Sequence, residues 1–172
     1  MGLSYPDPGV IGCGSGDTSP DWSPRGDLIV FQRSGNEGCS QAVSWSELWT
    51  VTQDGSTKTL VPNGYQEPSW SPEGTSIAYT FDTWDDNGES DSRNVFRVAP
   101  DGSGLLQVTH YPAGSYLLAH SPTWSPDGGS IVYSLTAGGS APALYLIASD
   151  GSGEPTKLAE NASSPDWQSI RD

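Results

Sequence analysis

The chain has 172 residues, of which 21 are acidic and 7 are basic, and its formal net charge is −14. A charge of this sign disfavours nucleic acid and anionic membrane surfaces as partners, because both would repel the protein. The sequence contains no apolar stretch near the roughly 18 residues that cross a bilayer as a helix. It is long enough to bury one core.

Residues 1–18 are predicted to form an N-terminal arm that contains Cys13. The second cysteine, Cys39, follows in Gly/Ser-rich loop sequence of the first repeat. Because inert packing cysteines are unusual in such loops, we expect a disulfide between the two, which would indicate an oxidising compartment. Two free thiols are the alternative.

A ten-residue phrase then occurs three times without insertion or deletion. Each copy opens with Trp-Ser-Pro-x-Gly and closes with an apolar run that ends in an aromatic residue. The copies are Trp22–Phe31, Trp70–Tyr79 and Trp124–Tyr133, and a fourth start is found at Ser164–Trp167. Repetition at a period of about 20–50 residues is typical of solenoids, propellers and arrays.

Each phrase predicts a β-hairpin. The proline before each Trp suits the first residue of a strand, and Ser-Pro-x-Gly is turn chemistry, because proline presets φ and glycine accepts a positive φ. In the run that follows, Ile29 and Phe31 share one face of the sheet and Val30 points to the other. The same alternation is found in the other two copies.

The second half of each repeat predicts a second hairpin. Third strands begin at Leu48, Val95 and Leu144, and each is followed by Asp-Gly-Ser, a strong hairpin signal. Fourth strands are expected around residues 57–61, 105–109 and 155–158. Four short strands per repeat, without helical periodicity, are typical of one blade of a β-propeller.

The predicted fold class is all-β: a partial β-propeller of three four-stranded antiparallel blades plus a terminal orphan strand, which we expect oligomerisation to complete. We divide the chain into residues 1–18 (arm), 19–66 (blade 1), 67–120 (blade 2 and a long linker), 121–163 (blade 3) and 164–172 (the first strand of an incomplete fourth blade).

The pattern Pro-x-Trp-Ser-Pro-Asp-Gly, then a short apolar strand, then Asp-Gly-Ser-Gly, resembles the TolB-type β-propeller repeat. The resemblance covers roughly residues 19–168 and is closest from Pro122 to Gly153, whereas blade 1 departs from it at Arg25 and Thr57. It implies a propeller fold and a secreted, extracellular or periplasmic location. Such repeats occur in periplasmic scaffold proteins, in the gating propellers of serine peptidases and in other secreted proteins, so the fold does not imply one function.

The repeated tryptophans and the blade count together predict self-assembly. Trp22, Trp70, Trp124 and Trp167 recur with the blade and are interpreted as core or inter-blade packing. Three blades cannot close a ring, and bare apolar end faces are rarely tolerated. We therefore expect other copies of the chain as partners, in a closed ring or a filament; a piece of a larger propeller is the alternative. Trp167 and Ile170 of the orphan strand are the expected assembly residues, inserted into another chain or paired with the N-terminal arm.

The connections between strands two and three vary in length and share one face, where binding residues often lie. In blade 2 this connection is rich in oxygen ligands: Asp82, Asp85, Asp86, Asn87, Glu89 and Asp91. Ca²⁺ binds several carboxylates and carbonyls on a flexible loop, so a Ca²⁺ site is predicted here. The strict EF-hand pattern is absent, because Thr83 and Asn94 occupy its first and twelfth positions, and a solvated acidic loop is the alternative.

The same variable face carries aromatic and histidine side chains. The candidate ligand- or partner-binding residues are Trp45, Trp84, His110, Tyr111, Tyr116 and His120. An exposed Trp on a loop can anchor a partner or a sugar ring, although each could instead fold back over its own blade. The sequence has no Gly-x-Ser-x-Gly, His-Glu-x-x-His or Cys-x-x-Cys motif, so we expect neither an enzyme nor an organic cofactor.

Two functions follow from these features. The first is a non-enzymatic extracellular propeller module that acts in self-assembly and protein–protein interaction, supported by Ca²⁺. The second is a ligand- or carbohydrate-binding, lectin-like or sensor module that uses the variable-loop face.

Overall fold

A computed structural model of the chain describes residues 15–37, 43–61, 65–84 and 90–167. Within these ranges the protein consists of twelve β-strands and their turns, with no helix. The described part of the chain therefore offers no helix that could cross a membrane. The all-β prediction is confirmed.

Blade 1 is a separate antiparallel sheet whose strands follow chain order. It contains β1 (Ser15–Trp22), β2 (Leu28–Glu37), β3 (Val43–Thr52) and β4 (Thr57–Val61). The first strand begins inside the segment that was predicted as an arm, because Ser15–Thr18 pair with β2. The predicted fourth strand at 57–61 is found as predicted.

Blades 2 and 3 repeat this arrangement and are joined into one sheet. Blade 2 contains β5 (Tyr65–Trp70), β6 (Ile77–Trp84), β7 (Ser90–Val98) and β8 (Leu106–Gln107). Blade 3 contains β9 (Leu117–Trp124), β10 (Ser130–Ala137), β11 (Ala143–Ala148) and β12 (Thr156–Glu160). A parallel contact between Arg93 of β7 and Leu118 of β9 links the two blades.

The inner strands β1, β5 and β9 contain their prolines instead of beginning with them. The pairing shifts at each of these prolines, for example between Thr18 and Asp21 in β1. A bulge leaves one residue outside the ladder, so the missing N–H of proline costs no hydrogen bond. The residue before each proline has a left-handed φ: Ser19 51°, Glu67 55°, Ser121 48° and, in the fourth phrase, Ser164 52°.

The hydrophobic core lies between successive blades. Val30 and Leu48 of blade 1 pack with Trp70, Ile77, Tyr79 and Val98 of blade 2. A second cluster joins blades 2 and 3: Ala78, Val95 and Val108 pack with Ala119, Trp124, Ile131, Tyr133, Leu135 and Ile147. Trp70 and Trp124 are each only 6% exposed, which confirms the packing role predicted for these two copies.

The outer two tryptophans of the repeat are not buried in this way. Trp22 is 56% exposed and Trp167 is 38% exposed. Trp70 and Trp124 each pack against the preceding blade, and the described chain places no blade before blade 1. The packing role predicted for Trp22 is therefore wrong within a single copy.

Candidate functional site

The main candidate site is the face of blade 1 that points away from blade 2. Trp22 pairs with Ile29, and Ile29 pairs with Val51, so these three residues form one row across the sheet. We call this row the open row. Directly paired residues on neighbouring strands share a face and lie about 5 Å apart, so the three side chains form one patch.

The same row is buried in the other two blades. Its counterparts in blade 2 are Trp70, Ile77 and Val98, with 6%, 0% and 2% of their surface exposed. In blade 3 they are Trp124, Ile131 and Ile147, with 6%, 0% and 4% exposed. In blade 1 Trp22 is exposed, and Ile29 and Val51 remain partly exposed. Within the described residues, the open row therefore has the side chains of an interface but no partner that covers them.

An arginine covers the adjacent aromatic part of this face. Arg33 takes the strand position that Phe81 occupies in blade 2, and its guanidinium lies 5.2 Å from the ring centre of Phe31 and 4.6 Å from that of Trp49. Asp17 holds it through two 2.8 Å hydrogen bonds, and those bonds lower the pKa of Asp17. The ion pair itself contributes little stability, because both side chains are largely solvated.

An open cavity of about 310 Å³ lies where the inner strands converge. All four phrases line it through the residues around their prolines, including Pro20, Pro68, Pro122 and Pro165. The fourth phrase thus lies where the first strand of a following blade would lie. Trp167, at its end, keeps 38% of its surface exposed.

Carboxylates fasten each inner strand to the next, a feature that the sequence analysis missed. The backbone N–H of Trp70 donates to Asp21 Oδ2 at 2.6 Å, and that of Ser121 donates to Glu67 Oε2 at 2.8 Å. Burial raises the pKa of Asp21, and the hydrogen bond from Trp70 partly offsets this effect. The sequence did contain a signal for these bonds, because Asp21 and Glu67 each lie next to the proline of their repeat.

A second polar group connects blades 2 and 3 around His120. Arg93 Nε donates to Asp82 Oδ1 at 2.5 Å, and Arg93 Nη1 lies 3.1 Å from His120 Nδ1. Glu67 Oε2 lies 3.9 Å from the same nitrogen. Burial, and then the charge of Arg93, lower the pKa of His120, so its neutral form is favoured. This arrangement positions His120 as an acceptor for Arg93, and the adjacent positive charge disfavours a cation at that nitrogen.

Two of the six predicted Ca²⁺ ligands lie within the described residues, and both have other partners. Asp82 accepts from Arg93, and Asp91 Oδ1 accepts from the backbone N–H of Gly114 at 2.7 Å. Asp85, Asp86, Asn87 and Glu89 lie outside the described residues. In the part of the chain that the structure describes, no three His, Cys, Asp or Glu residues are grouped to hold a metal ion. The Ca²⁺ site stays a prediction.

The structure separates the predicted binding residues of the variable face into exposed residues and residues that have partners within the protein. Trp84 and Tyr116 are 56% and 62% exposed, and His110 is also exposed. The hydroxyl of Tyr111 instead lies 2.6 Å from that of Tyr133, and its ring packs against the core between blades 2 and 3.

The variable connections are shorter than predicted, because strands extend into them. Trp45 lies within β3 and pairs with Gly35, and Trp84 is the last residue of β6 and pairs with Ser90. The prediction that both are loop residues is wrong; Thr and Trp are favourable strand residues, and here they continue the ladders. The side chain of Trp45 lies outside what the structure describes, as do Cys13, Cys39 and Ile170.

A buried asparagine fixes the long linker that follows blade 2. Asn94 is fully buried, and its Oδ1 accepts from the Tyr111 N–H at 2.7 Å and from Thr109 Oγ1 at 3.0 Å. Its Nδ2 donates to the Tyr111 carbonyl at 2.9 Å and to Thr83 Oγ1 at 3.0 Å. The side chain thereby places the start of the linker against blade 3. No pattern in the sequence pointed to this role.

Comparison with known proteins agrees with this architecture. No family model matches the sequence. The uncharacterised peptidase YuxL of Bacillus subtilis is 29% identical over 124 residues, covering 70% of this chain and 17% of YuxL. The Tol-Pal system protein TolB of Gluconobacter oxydans is 30% identical over 116 residues, covering 64% of this chain and 22% of TolB. The chain thus spans about a fifth of the length of these two relatives.

Solved structures share the fold. TolB from Acinetobacter baumannii superposes with a TM-score of 0.59 at 19% identity, over 84% of this chain and 32% of that one. The β-propeller domain of the Trilobed protease from Pyrococcus furiosus superposes with a TM-score of 0.62 at 9% identity, over 87% of this chain and 45% of that one. The protein is therefore an arc of β-propeller blades. The predicted resemblance to the TolB-type β-propeller repeat is confirmed at the level of fold.

Proposed function

We propose that the chain is a non-enzymatic propeller module that acts through protein–protein contact, and that its partner at the open row is a second copy of the chain. The observation that carries this proposal is the contrast between equivalent rows. The Trp-Ile-Val/Ile row is at most 6% exposed per residue in blades 2 and 3, yet Trp22 is 56% exposed in blade 1. The residue types that form the inter-blade interfaces of blades 2 and 3 are thus exposed on the outer face of blade 1.

A second copy is the occupant that fits this row best. Rows of this kind pack against the preceding blade in blades 2 and 3, and the third blade of another copy offers the corresponding surface. Two arcs of three blades placed head to tail would make six blades, within the range of about 4–8 in which propellers close. Such a contact joins two different surfaces, and it ends in a ring only if the rotation closes.

The TolB-like repeat also supports a periplasmic or extracellular location, in line with the disulfide expected between Cys13 and Cys39. We include Ca²⁺ bound by the acidic connection of blade 2 in the proposal, as a stabilising ion rather than a catalytic one. The relatives include both a peptidase and a Tol-Pal protein; the unpartnered row favours the binding role.

The test is the mass of the purified chain in solution, measured by sedimentation velocity and native mass spectrometry. We expect a defined oligomer for the native chain and a monomer for Ile29→Glu, because a carboxylate in the open row would be buried without a partner. Leu105→Glu is the matched control, since Leu105 is 58% exposed just before β8 of the middle blade, away from both surfaces of the proposed contact. A native chain that stays monomeric at high concentration, or an Ile29→Glu variant of unchanged mass, would refute the proposal.

A second candidate is ligand binding on the variable face. It is favoured by one contact: the bond from Gly114 to Asp91 holds the loop of the exposed Tyr116 beside the β6–β7 hairpin that ends in the exposed Trp84. Two exposed aromatic side chains on neighbouring segments suit a sugar ring or an apolar ligand. Quenching of Trp fluorescence by a panel of oligosaccharides, lost in Trp84→Ala, would support this function; no binding by the native chain would exclude sugars.

A further inference from the structure

We propose that the fourth phrase, Ser164–Trp167, is the inner strand of blade 1 in a second copy of the chain. This inference rests on the proposed self-assembly and specifies how it occurs. In the assembly, the phrase of one copy would replace the end of β1 in the other. The resulting composite blade would contain one strand from one copy and β2, β3 and β4 from its partner.

The sequences of the two segments are the first reason. The fourth phrase reads Ser164-Pro165-Asp166-Trp167, and β1 ends in the identical tetrapeptide at residues 19–22. The middle two phrases differ from it at this site, because they have Glu67-Pro-Ser-Trp70 and Ser121-Pro-Thr-Trp124. The fourth phrase is therefore a copy of the blade 1 strand rather than a generic repeat strand.

The aspartate has a specific task in blade 1. Asp21 accepts the backbone N–H of Trp70 at 2.6 Å and so fastens blade 1 to blade 2. Ser69 and Thr123 occupy the equivalent positions in the middle phrases, and neither has a carboxylate. Asp166 alone among the other phrases can take over the bond that Asp21 makes. A strand that replaces β1 needs this residue, and the fourth phrase has it.

The backbone conformation is also already correct. Ser164 has a φ of 52° and Ser19 a φ of 51°, and both precede a proline. This left-handed conformation is uncommon for residues other than glycine, yet the phrase adopts it in the described structure without belonging to any strand. The phrase therefore needs no rearrangement at this residue before it can join a sheet.

The position of the phrase in its own copy completes the geometry. Ser164 and Pro165 line the cavity between the inner strands, together with Ser121 and Pro122 of blade 3. The phrase therefore lies beside β9, in the position that β1 of a second copy would need if that copy docked against blade 3. Two strands cannot occupy this position. If β2 of the second copy pairs with the phrase in place of its own β1, the open row of that copy can pack against blade 3 without this clash.

The register of the composite blade follows from the one seen in blade 1. Asp21 pairs with Val30 and Trp22 pairs with Ile29, so Asp166 and Trp167 are expected opposite Val30 and Ile29 of the second copy. Trp167 then completes the row with Ile29 and Val51. The displaced β1 gives up its ladder with β2, including the pairs of Ser15–Thr18, and the exposed ion pair between Asp17 and Arg33. The incoming phrase restores the two pairs opposite Val30 and Ile29. Reciprocal exchange between two copies would satisfy both ends, provided that the rotation between them closes the ring.

Substitution of the two equivalent tryptophans tests the exchange. We expect Trp167→Glu to convert the oligomer to a monomer, measured by sedimentation velocity, and Trp22→Glu to leave the oligomer intact, because β1 is displaced from the interface. The two variants carry the same change in the same tetrapeptide, so each is the control of the other. Far-ultraviolet circular dichroism and a cooperative urea transition verify that both fold.

The opposite pattern would overturn the exchange. If Trp22→Glu dissociates the oligomer and Trp167→Glu does not, the copies dock through their own β1 strands; self-assembly would stand and strand exchange would fall. If Ile29→Glu does not change the mass either, the proposed function itself fails. The two failures are therefore distinguishable.

Cross-linking gives a second measurement that does not depend on oligomer stability. A photoreactive phenylalanine analogue at position 167 is irradiated in an equilibrated mixture of ¹⁴N- and ¹⁵N-labelled chains. We expect peptides that join position 167 of one isotope to β2 residues around Ile29 of the other. Cross-links confined to chains of a single isotope would refute exchange between copies.

Discussion

Replacement of Asn94 by alanine should destabilise the protein far more than its small change in apolar area suggests. The side chain is fully buried and makes four hydrogen bonds, two as donor and two as acceptor. Alanine would leave the N–H and the carbonyl of Tyr111, together with the hydroxyl of Thr109, without these partners. These groups hold the linker that enters blade 3.

The expected loss can be estimated from these groups. A net hydrogen bond contributes about 1 kcal/mol, and a buried group left without a partner costs about 1–3 kcal/mol. Because water can reach part of Tyr111, we expect a total near 3–4 kcal/mol rather than the sum of the upper values. A domain of this size loses roughly 2–4 °C in Tm per kcal/mol, so the transition should fall by about 6–16 °C.

Ser92→Ala is the matched control for this prediction. Ser92 lies on the same strand, β7, and is also fully buried, but its hydroxyl makes no hydrogen bond in the described structure. Its removal should not destabilise the protein, because a buried hydroxyl without a partner already carries a desolvation cost in the native chain. Urea denaturation followed by Trp fluorescence measures both variants. Equal midpoints for Asn94→Ala and Ser92→Ala would refute the role assigned to Asn94.

Two further predictions concern ions and pH. If the acidic connection of blade 2 binds Ca²⁺, millimolar Ca²⁺ should raise Tm relative to EGTA, and Asp91→Asn should reduce the difference; identical Tm values in both buffers would show that the loop is only solvated. Because the pKa of His120 is lower in the folded chain than the usual 6.5, the unfolded state takes up a proton first as the pH falls. Stability should therefore be lost below about pH 6.5, and His120→Gln should lose less of it over the same range. A native chain and a variant with parallel pH profiles would contradict this reasoning.

The strands were predictable because short segments determine them. Asp-Gly-Ser after Leu48, Val95 and Leu144 located the second hairpin of each blade, and turn residues act over only a few positions. The burial of Trp70 and Trp124 also followed from the repeat, because the preceding blade covers each of them. Trp22 has the same sequence context, but the described residues place no blade against it. Its exposure therefore depends on its position along the arc, which a repeat pattern does not report.

The contacts between segments were harder to predict. Asn94 was noted only as a residue that breaks an EF-hand pattern, whereas its function depends on a linker many residues away in the chain. Trp45 and Trp84 were placed in loops because the variable segments differ in length between repeats. In the structure the hairpins extend into these segments, since ladder hydrogen bonds continue where both strands supply favourable residues. Strand length thus depends on pairing, which single-strand propensity does not capture.

The bonds from Asp21 and Glu67 to the next inner strand have a consequence for how such proteins can change over time. In both, the donor is a main-chain amide, which every amino acid except proline supplies. The bond therefore depends on the side chain of the acidic member alone and places no demand on the side chain of the facing residue. Neighbouring modules can therefore diverge, duplicate or be exchanged while the attachment between them persists.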